Sequence, residues 1–167
     1  MNLIVQLLPE SHVLLDVEAG SKKRVFEQAS ELFETAGGIS HTLVFESLLA
    51  REKLGSTGLG QGIAIPHGRI KGLKEATGAF IRLADPIDFD APDGRPVSQL
   101  FILLVPEQAT EAHLQILSQL ASCFAERPFR ETLATTPDAA AVLALFSAAI
   151  PDPDPHADSG DSAGQAD

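Results

Sequence analysis

With 167 residues, 44% of them hydrophobic, and a formal net charge of −11, the chain is sized for one core and too apolar for global disorder. That acidity argues against direct binding to nucleic acid or to an anionic membrane surface. No apolar run approaches the roughly 18 residues of a membrane span, the first ten residues lack the basic start of a secretory leader, and the lone Cys123 has no disulfide partner, so a cytoplasmic protein is predicted.

Ser21 precedes a segment, 22–36, in which Val25, Phe26, Ala29, Leu32, Phe33 and Ala36 recur at helical spacing before Gly37-Gly38, which predicts a capped amphipathic helix. A second helix is predicted from Ser40 through Arg51, with Leu43, Val44, Leu48 and Leu49 on one side and Gly55 as its stop. The stretch 55–62, Gly-Ser-Thr-Gly-Leu-Gly-Gln-Gly, is too glycine-rich for a helix interior. It predicts a loop leading into a short strand, Ile63-Ala64-Ile65, which Pro66 ends.

Two longer strands are predicted over 76–84 and 100–105, the second buried on both faces, with an Asp- and Pro-rich turn segment, 85–96, between them. From Thr110 the spacing returns to helical, with Leu114, Leu117, Leu120, Ala121 and Phe124 on one face as far as Arg127-Pro128. A short helix near Arg130 and another over 138–149 follow. Strands among several helices in this order predict an α/β layered domain with a mixed sheet. Residues 151–167 hold five aspartates, no Lys or Arg, and no Val, Ile, Leu, Phe or Met. They predict a disordered acidic tail, after a folded unit, 1–150, of charge −6.

The glycine loop is not a nucleotide fingerprint. It has no lysine opening a helix, and its glycines follow a helix and precede a strand, the reverse of a dinucleotide-binding turn. It leads instead to Pro66-His67-Gly68-Arg69, an imidazole between a rigid proline and a permissive glycine. A neutral imidazole is a nucleophile near neutral pH, and the alternative is a structural histidine in a turn. Glycine amides with the hydroxyls of Ser56 and Thr57 suit a phosphoryl group better than a metal or an acyl group. His113 stands three residues after Thr110, where the helix macrodipole disfavours imidazolium and favours anions; it is equally placed as an edge-of-core residue. Arg51 is able to reach a phosphate at His67, or is an ordinary last-turn cation beside a solvated Glu52 and Lys53. His12, His41 and His156 lack convergent partners and predict surface or capping roles, and Cys123 a small hydrophobe.

The run from Arg51 to Gly68, REKLGSTGLGQGIAIPHG, resembles the active-site stretch of the mannitol/fructose-type IIA domains of the bacterial phosphoenolpyruvate-dependent phosphotransferase system. The flanks at 21–24, 90–97 and 103–106, with an expected free-standing domain and no fused transporter, resemble its regulatory members. The acidic tail has no counterpart in that pattern. The resemblance implies a three-layer α/β/α domain in which His67 is phosphorylated, on Nε2, by an HPr-like phosphocarrier that an Enzyme I has charged. His113 and Arg51 would steady the phosphoryl group, with Ser56, Thr57, Gly58 and Gly68 as phosphate-binding neighbours; Arg69 is either a further contact or a residue facing a docking partner. Neither cofactor nor metal is implied. The partners implied are the donor and regulated targets of the transporter, kinase or metabolic-enzyme kind. Fructose- or mannitol-class sugar uptake, or an unphosphorylated binding module, are the alternatives.

Overall fold

Alternation along one strand builds the centre of the molecule. In Leu100-Phe101-Ile102-Leu103-Leu104-Val105 successive side chains point to opposite faces, and all six are buried, so both faces must be covered. The computed structural model describes residues 3–108 and 110–149, and the tail expected over 151–167 lies outside the described residues. In chain order the elements are α1 (Leu3–Leu7), a single 3-10 turn (Glu10–His12), β1 (Val13–Val17), α2 (Lys22–Gly37), α3 (His41–Lys53), β2 (Gly58–Gly60), β3 (Ile63–Ala64), β4 (His67–Ile70), β5 (Thr77–Ile87), β6 (Val97–Pro106), α4 (Glu111–Ala125), α5 (Arg127–Ala134) and α6 (Ala139–Ala149).

The sheet is mixed, in the order β1-β5-β6-β3-β2, with β4 also on β6. β5 and β6 are antiparallel, while β1 on β5, and β3 and β4 on β6, are parallel. One face carries Ile81, Ile102 and Leu104 against Val25, Phe26 and Phe33 of α2 and Val44 and Leu48 of α3. The other carries Phe80, Phe101 and Leu103 against α1 and α4–α6, where Phe124, Phe129 and Phe146 meet edge to face. This is the predicted three-layer arrangement.

The structure departs from the sequence-based expectations at several points. β1, β2, β4 and α1 were not predicted; each has five residues or fewer and takes its form from neighbours rather than from a pattern of its own. The expected turn at 85 begins later, because β5 runs through Pro86 to Ile87 across a register shift. Leu43 and Leu114, expected on core faces, are 42% and 64% exposed, and Ile116 takes the buried place on α4. His12 is not a surface residue: it is 4% exposed and its Nδ1 bonds to Gly78 O at 2.9 Å. His41 is exposed, as expected, at the first position of α3, where its backbone N–H donates to Glu34 Oε2 at 2.9 Å and its Nδ1 lies 3.1 Å from the same oxygen; His156 lies outside the described residues. Cys123 is buried in α4, and burial pushes its thiol pKa up, as for a small hydrophobe.

Candidate active site

β3 and β4 run along the same edge of β6, β3 opposite Gln99 and Leu100 and β4 opposite Leu103 to Pro106, with Ile65-Pro66 between them. Pro66 has no N–H to give the ladder; its carbonyl accepts from Leu103 N at 2.9 Å, while Ile65 N turns to Thr57 O at 3.1 Å. His67 therefore starts β4 at the point where the glycine loop meets the sheet. Its Nδ1 lies 3.1 Å from Ile65 O. A carbonyl oxygen only accepts, so in the neutral ring Nδ1 carries the proton and Nε2 presents a lone pair. That nitrogen faces Arg51, whose Nε donates to it at 3.3 Å.

Arg51 arrives there because α3 packs closely on β4. A Cβ on Gly68 would collide with Ser47 Oγ, so glycine is required for that approach. Ser47 Oγ donates to Arg69 O at 3.0 Å, and Arg51 follows one turn later on the same helix. Arg51 Nη1 also donates to Gly55 O at 2.9 Å, tying the helix end to the loop.

The neighbouring Glu52 overturns the expected solvated surface. It is 7% exposed. Its carboxylate accepts from Thr57 N at 3.1 Å, from Thr57 Oγ1 at 2.6 Å and from Lys22 Nζ at 2.9 Å. This joins the start of α2, the end of α3 and the glycine loop. Reasoning from sequence missed it because Lys22 is 30 positions away, and an Arg-Glu-Lys run carries no sign that its middle residue is buried.

The loop itself is a hairpin, β2 antiparallel to β3, turned by Gly60, Gln61 and Gly62 at φ of 91°, 59° and 81°. Glycine adopts such angles without strain; Gln61, which does not, is held by its N–H on Asp93 Oδ2 at 2.8 Å. In Ser56 the hydroxyl donates to Phe89 O at 2.7 Å and accepts from Gly58 N at 3.1 Å. The hydroxyl protons of Ser56 and Thr57 are thus both engaged within the protein.

His113 is brought to the same place from the opposite layer. Thr110 N donates to its Nδ1 at 2.9 Å, so the neutral ring carries its proton on Nε2. Together Arg51, His67, Gly68, Arg69 and His113 line a cavity of about 500 Å³, with Leu54 and Leu114 at 84% and 64% exposure on its wall. A smaller cavity of about 340 Å³ shares His67 and Arg51 and adds Ser56, Thr57 and Gly58. Among the described residues no carboxylate lines either cavity, and the two carry two arginines and two histidines between them.

Residues 6–149 match the family described as phosphoenolpyruvate-dependent sugar phosphotransferase system, EIIA 2. The chain belongs to that family. It is 47% identical over 141 residues to the nitrogen regulatory protein of Pseudomonas aeruginosa, a match that spans 84% of this chain and 92% of that one. It is 59% identical to nitrogen regulatory protein IIA-Ntr from Neisseria meningitidis, whose crystal structure superposes with a TM-score of 0.84 over 87% of this chain and 100% of that one. IIA mannitol from Escherichia coli shares the fold at 23% identity, with a TM-score of 0.70 over 83% of this chain and 98% of that one. In this EIIA chain every residue singled out from the sequence as a site candidate borders the two cavities, whereas the support from Glu52 and Ser47 was not anticipated. Among the described residues no helix is long and apolar enough to cross a membrane, and no three His, Cys, Asp or Glu side chains cluster as a metal site.

Proposed function

We propose that the chain is a cytoplasmic phosphohistidine relay, with His67 Nε2 as acceptor and an HPr-like phosphocarrier as donor. One observation carries this reading: Nδ1 is held on Ile65 O while Nε2 faces Arg51 and a cavity that no carboxylate of the described residues lines. In the transfer, Nε2 attacks phosphorus, the P–N bond of the donor's phosphohistidine breaks, and the donor's imidazole leaves with the electron pair. His67 loses no proton, because Nε2 has none to lose, and Nδ1–H stays on Ile65 O.

Such a transfer needs positioning and charge stabilisation more than covalent chemistry from the protein. The Arg51 Nε–H, which sits on the Nε2 lone pair in the free protein, shifts to a phosphoryl oxygen as the N–P bond forms. The Nε2–H of His113 supplies a second donor, and the N-terminus of α4 supplies favourable dipole. The incoming group adds about −1.5 to −2 charges, which the two cations of the cavity, Arg51 and Arg69, offset. Because the hydroxyls of Ser56 and Thr57 are engaged elsewhere, we assign Ser56, Thr57 and Gly58 the shaping of the loop beside the phosphoryl group. Gly68 admits α3, and with it Arg51.

The exposed Leu54, Leu59 and Leu114, at 84%, 46% and 64%, form an apolar rim around these cavities. A rim of this kind, around a reactive histidine, suits transient contact with other proteins. The relatives named nitrogen regulatory protein support a regulatory output, in which phosphorylation of His67 changes the charge inside that rim and so selects among target proteins. The sugar phosphotransferase description of the family supports a second reading, fructose- or mannitol-class uptake.

The test is incubation with phosphoenolpyruvate, Enzyme I and an HPr-like protein, followed by mass spectrometry. An acid-labile phosphate on His67 is the expected result. No label, with both donors proven active, leaves only the unphosphorylated binding module. Sugar phosphorylation in membranes that lack any other IIA would promote the uptake reading.

A further inference from the structure

A second region along β6 collects cations that the relay does not use. His67 pairs with Leu103, whereas Gln99, four residues earlier, pairs with Ile63 of β3. At about 3.3 Å per strand residue the two positions are about 13 Å apart. Around Gln99 lies a cavity of about 470 Å³ walled by Gln61, Arg95, Arg127, Arg130 and Glu131, and it shares no residue with the cavities at His67. Three of the chain's seven arginines converge there on a protein of charge −11.

Part of that positive charge is neutralised in place. Glu131, the carboxylate of the wall, is paired with Arg127 at 2.8 Å. Among the described residues neither Arg95 nor Arg130 forms an ion pair. Arg130 Nη1 donates to Phe124 O and Ala125 O at 2.8 and 3.0 Å, and Arg95 Nη1 to Gln61 Oε1 at 3.4 Å. Asp93, beside Arg95, accepts the amides of Gln61 and Arg95 at 2.8 and 3.1 Å, and these bonds, with a smaller contribution from the Arg95 charge, hold its carboxyl below the usual carboxylate range.

The remaining wall residue, Gln99, is 5% exposed. Its Nε2 donates to Arg130 O at 3.3 Å, which fixes the sense of the amide, and its Oε1 has no hydrogen-bond partner. A buried carbonyl oxygen of this kind is normally paired. The cavity therefore combines guanidinium groups on two sides, Arg95 before β6 and Arg130 on α5 beside the Arg127–Glu131 pair, with an acceptor that lacks a donor. Guanidinium forks match carboxylates two bonds at a time.

We propose that this cavity binds a small dicarboxylate bearing a hydroxyl or ammonium group, with one carboxylate on Arg95, the other on Arg130 and Arg127, and the hydroxyl or ammonium donating to Gln99 Oε1. L-malate and succinate differ by a single hydroxyl, so calorimetric titration of each into the full chain, with amide NMR to locate the site, isolates the role of Gln99. L-malate is expected to saturate the protein about tenfold more tightly than succinate, with shifts at Gln61, Arg95 and Gln99. Arg95→Gln, on an exposed loop that does not threaten the fold, weakens L-malate about tenfold, and Gln99→Met brings L-malate down to the level of succinate.

Absence of saturation at about 10 mM, equal affinity for the two acids, or unchanged affinity in Arg95→Gln would overturn the assignment, as would inorganic phosphate binding as tightly as L-malate. The chain's own aspartates offer the same carboxylate chemistry. Changing Asp152, Asp154, Asp158, Asp161 and Asp167 to Asn should leave L-malate binding unaltered; a tenfold gain would make the tail the occupant and refute a small-molecule site.

Discussion

His12 and His67 each bring Nδ1 to a main-chain carbonyl, Gly78 O at 2.9 Å and Ile65 O at 3.1 Å, and diverge at the other ring nitrogen. The His12 ring is 4% exposed, stands edge-on to Phe33 with centroids 5.5 Å apart, and lies beneath Gly37 at the end of α2. The His67 ring is half-buried, and its Nε2 meets Arg51 at the edge of a cavity. An anchored tautomer is therefore common to a structural and a reactive histidine. What separates them is whether Nε2 meets packed apolar surface or a cation beside open space.

Substitutions sharpen that contrast, in order of their expected effect on phosphoryl acceptance. His67→Ala should abolish labelling with an unchanged melting temperature. Arg51→Ala should slow transfer by about 10²-fold, the cost of removing one preorganised donor from a developing anion, and Arg51→Lys should restore part of the rate but not the geometry. His113→Ala should slow transfer about tenfold, with His113→Gln recovering most of it because an amide still donates. Wild-type rates in both Arg51→Ala and His113→Ala would break the three-residue site.

Glu52→Ala acts at one remove. It leaves Thr57 N, Thr57 Oγ1 and Lys22 without their shared partner, and should cost about 3 kcal/mol of stability in chemical denaturation together with a several-fold loss in transfer rate as the loop loosens. His12→Ala should cost about 2–3 kcal/mol, from lost packing and an unpaired Gly78 carbonyl, and should leave the rate of labelling of the folded protein at the wild-type value. A labelling defect in the folded His12→Ala protein would erase the distinction between the two histidines.

The sequence made some of this legible and hid the rest for definite reasons. α2 declares itself because its apolar residues repeat at helical spacing, and the core of β6 because six consecutive apolar residues, too few for a helix, suit a strand buried on both faces. β4 does not: four residues, His67–Ile70, become a strand only because β6 offers them a free edge. Leu114 follows the helical spacing of α4 yet stands exposed at the cavity rim, which spacing alone does not distinguish from a core position. In the site, the proline-histidine-glycine step was readable as a motif. The direction of Nε2 was not, because it depends on Ile65 O and on an arginine 16 positions away. The charge of −11 is likewise an average that hides the site, since among the described residues neither cavity at His67 contains a carboxylate.

One nitrogen atom, Nε2 of His67, decides whether the chain is this relay, and long-range 1H–15N correlation NMR of the phosphorylated full chain reads it directly. Phosphorus coupled to Nε2 of His67, with Nδ1 still protonated on Ile65 O, is the expected result. Phosphorus on Nδ1 of His67, or on His113, would contradict it.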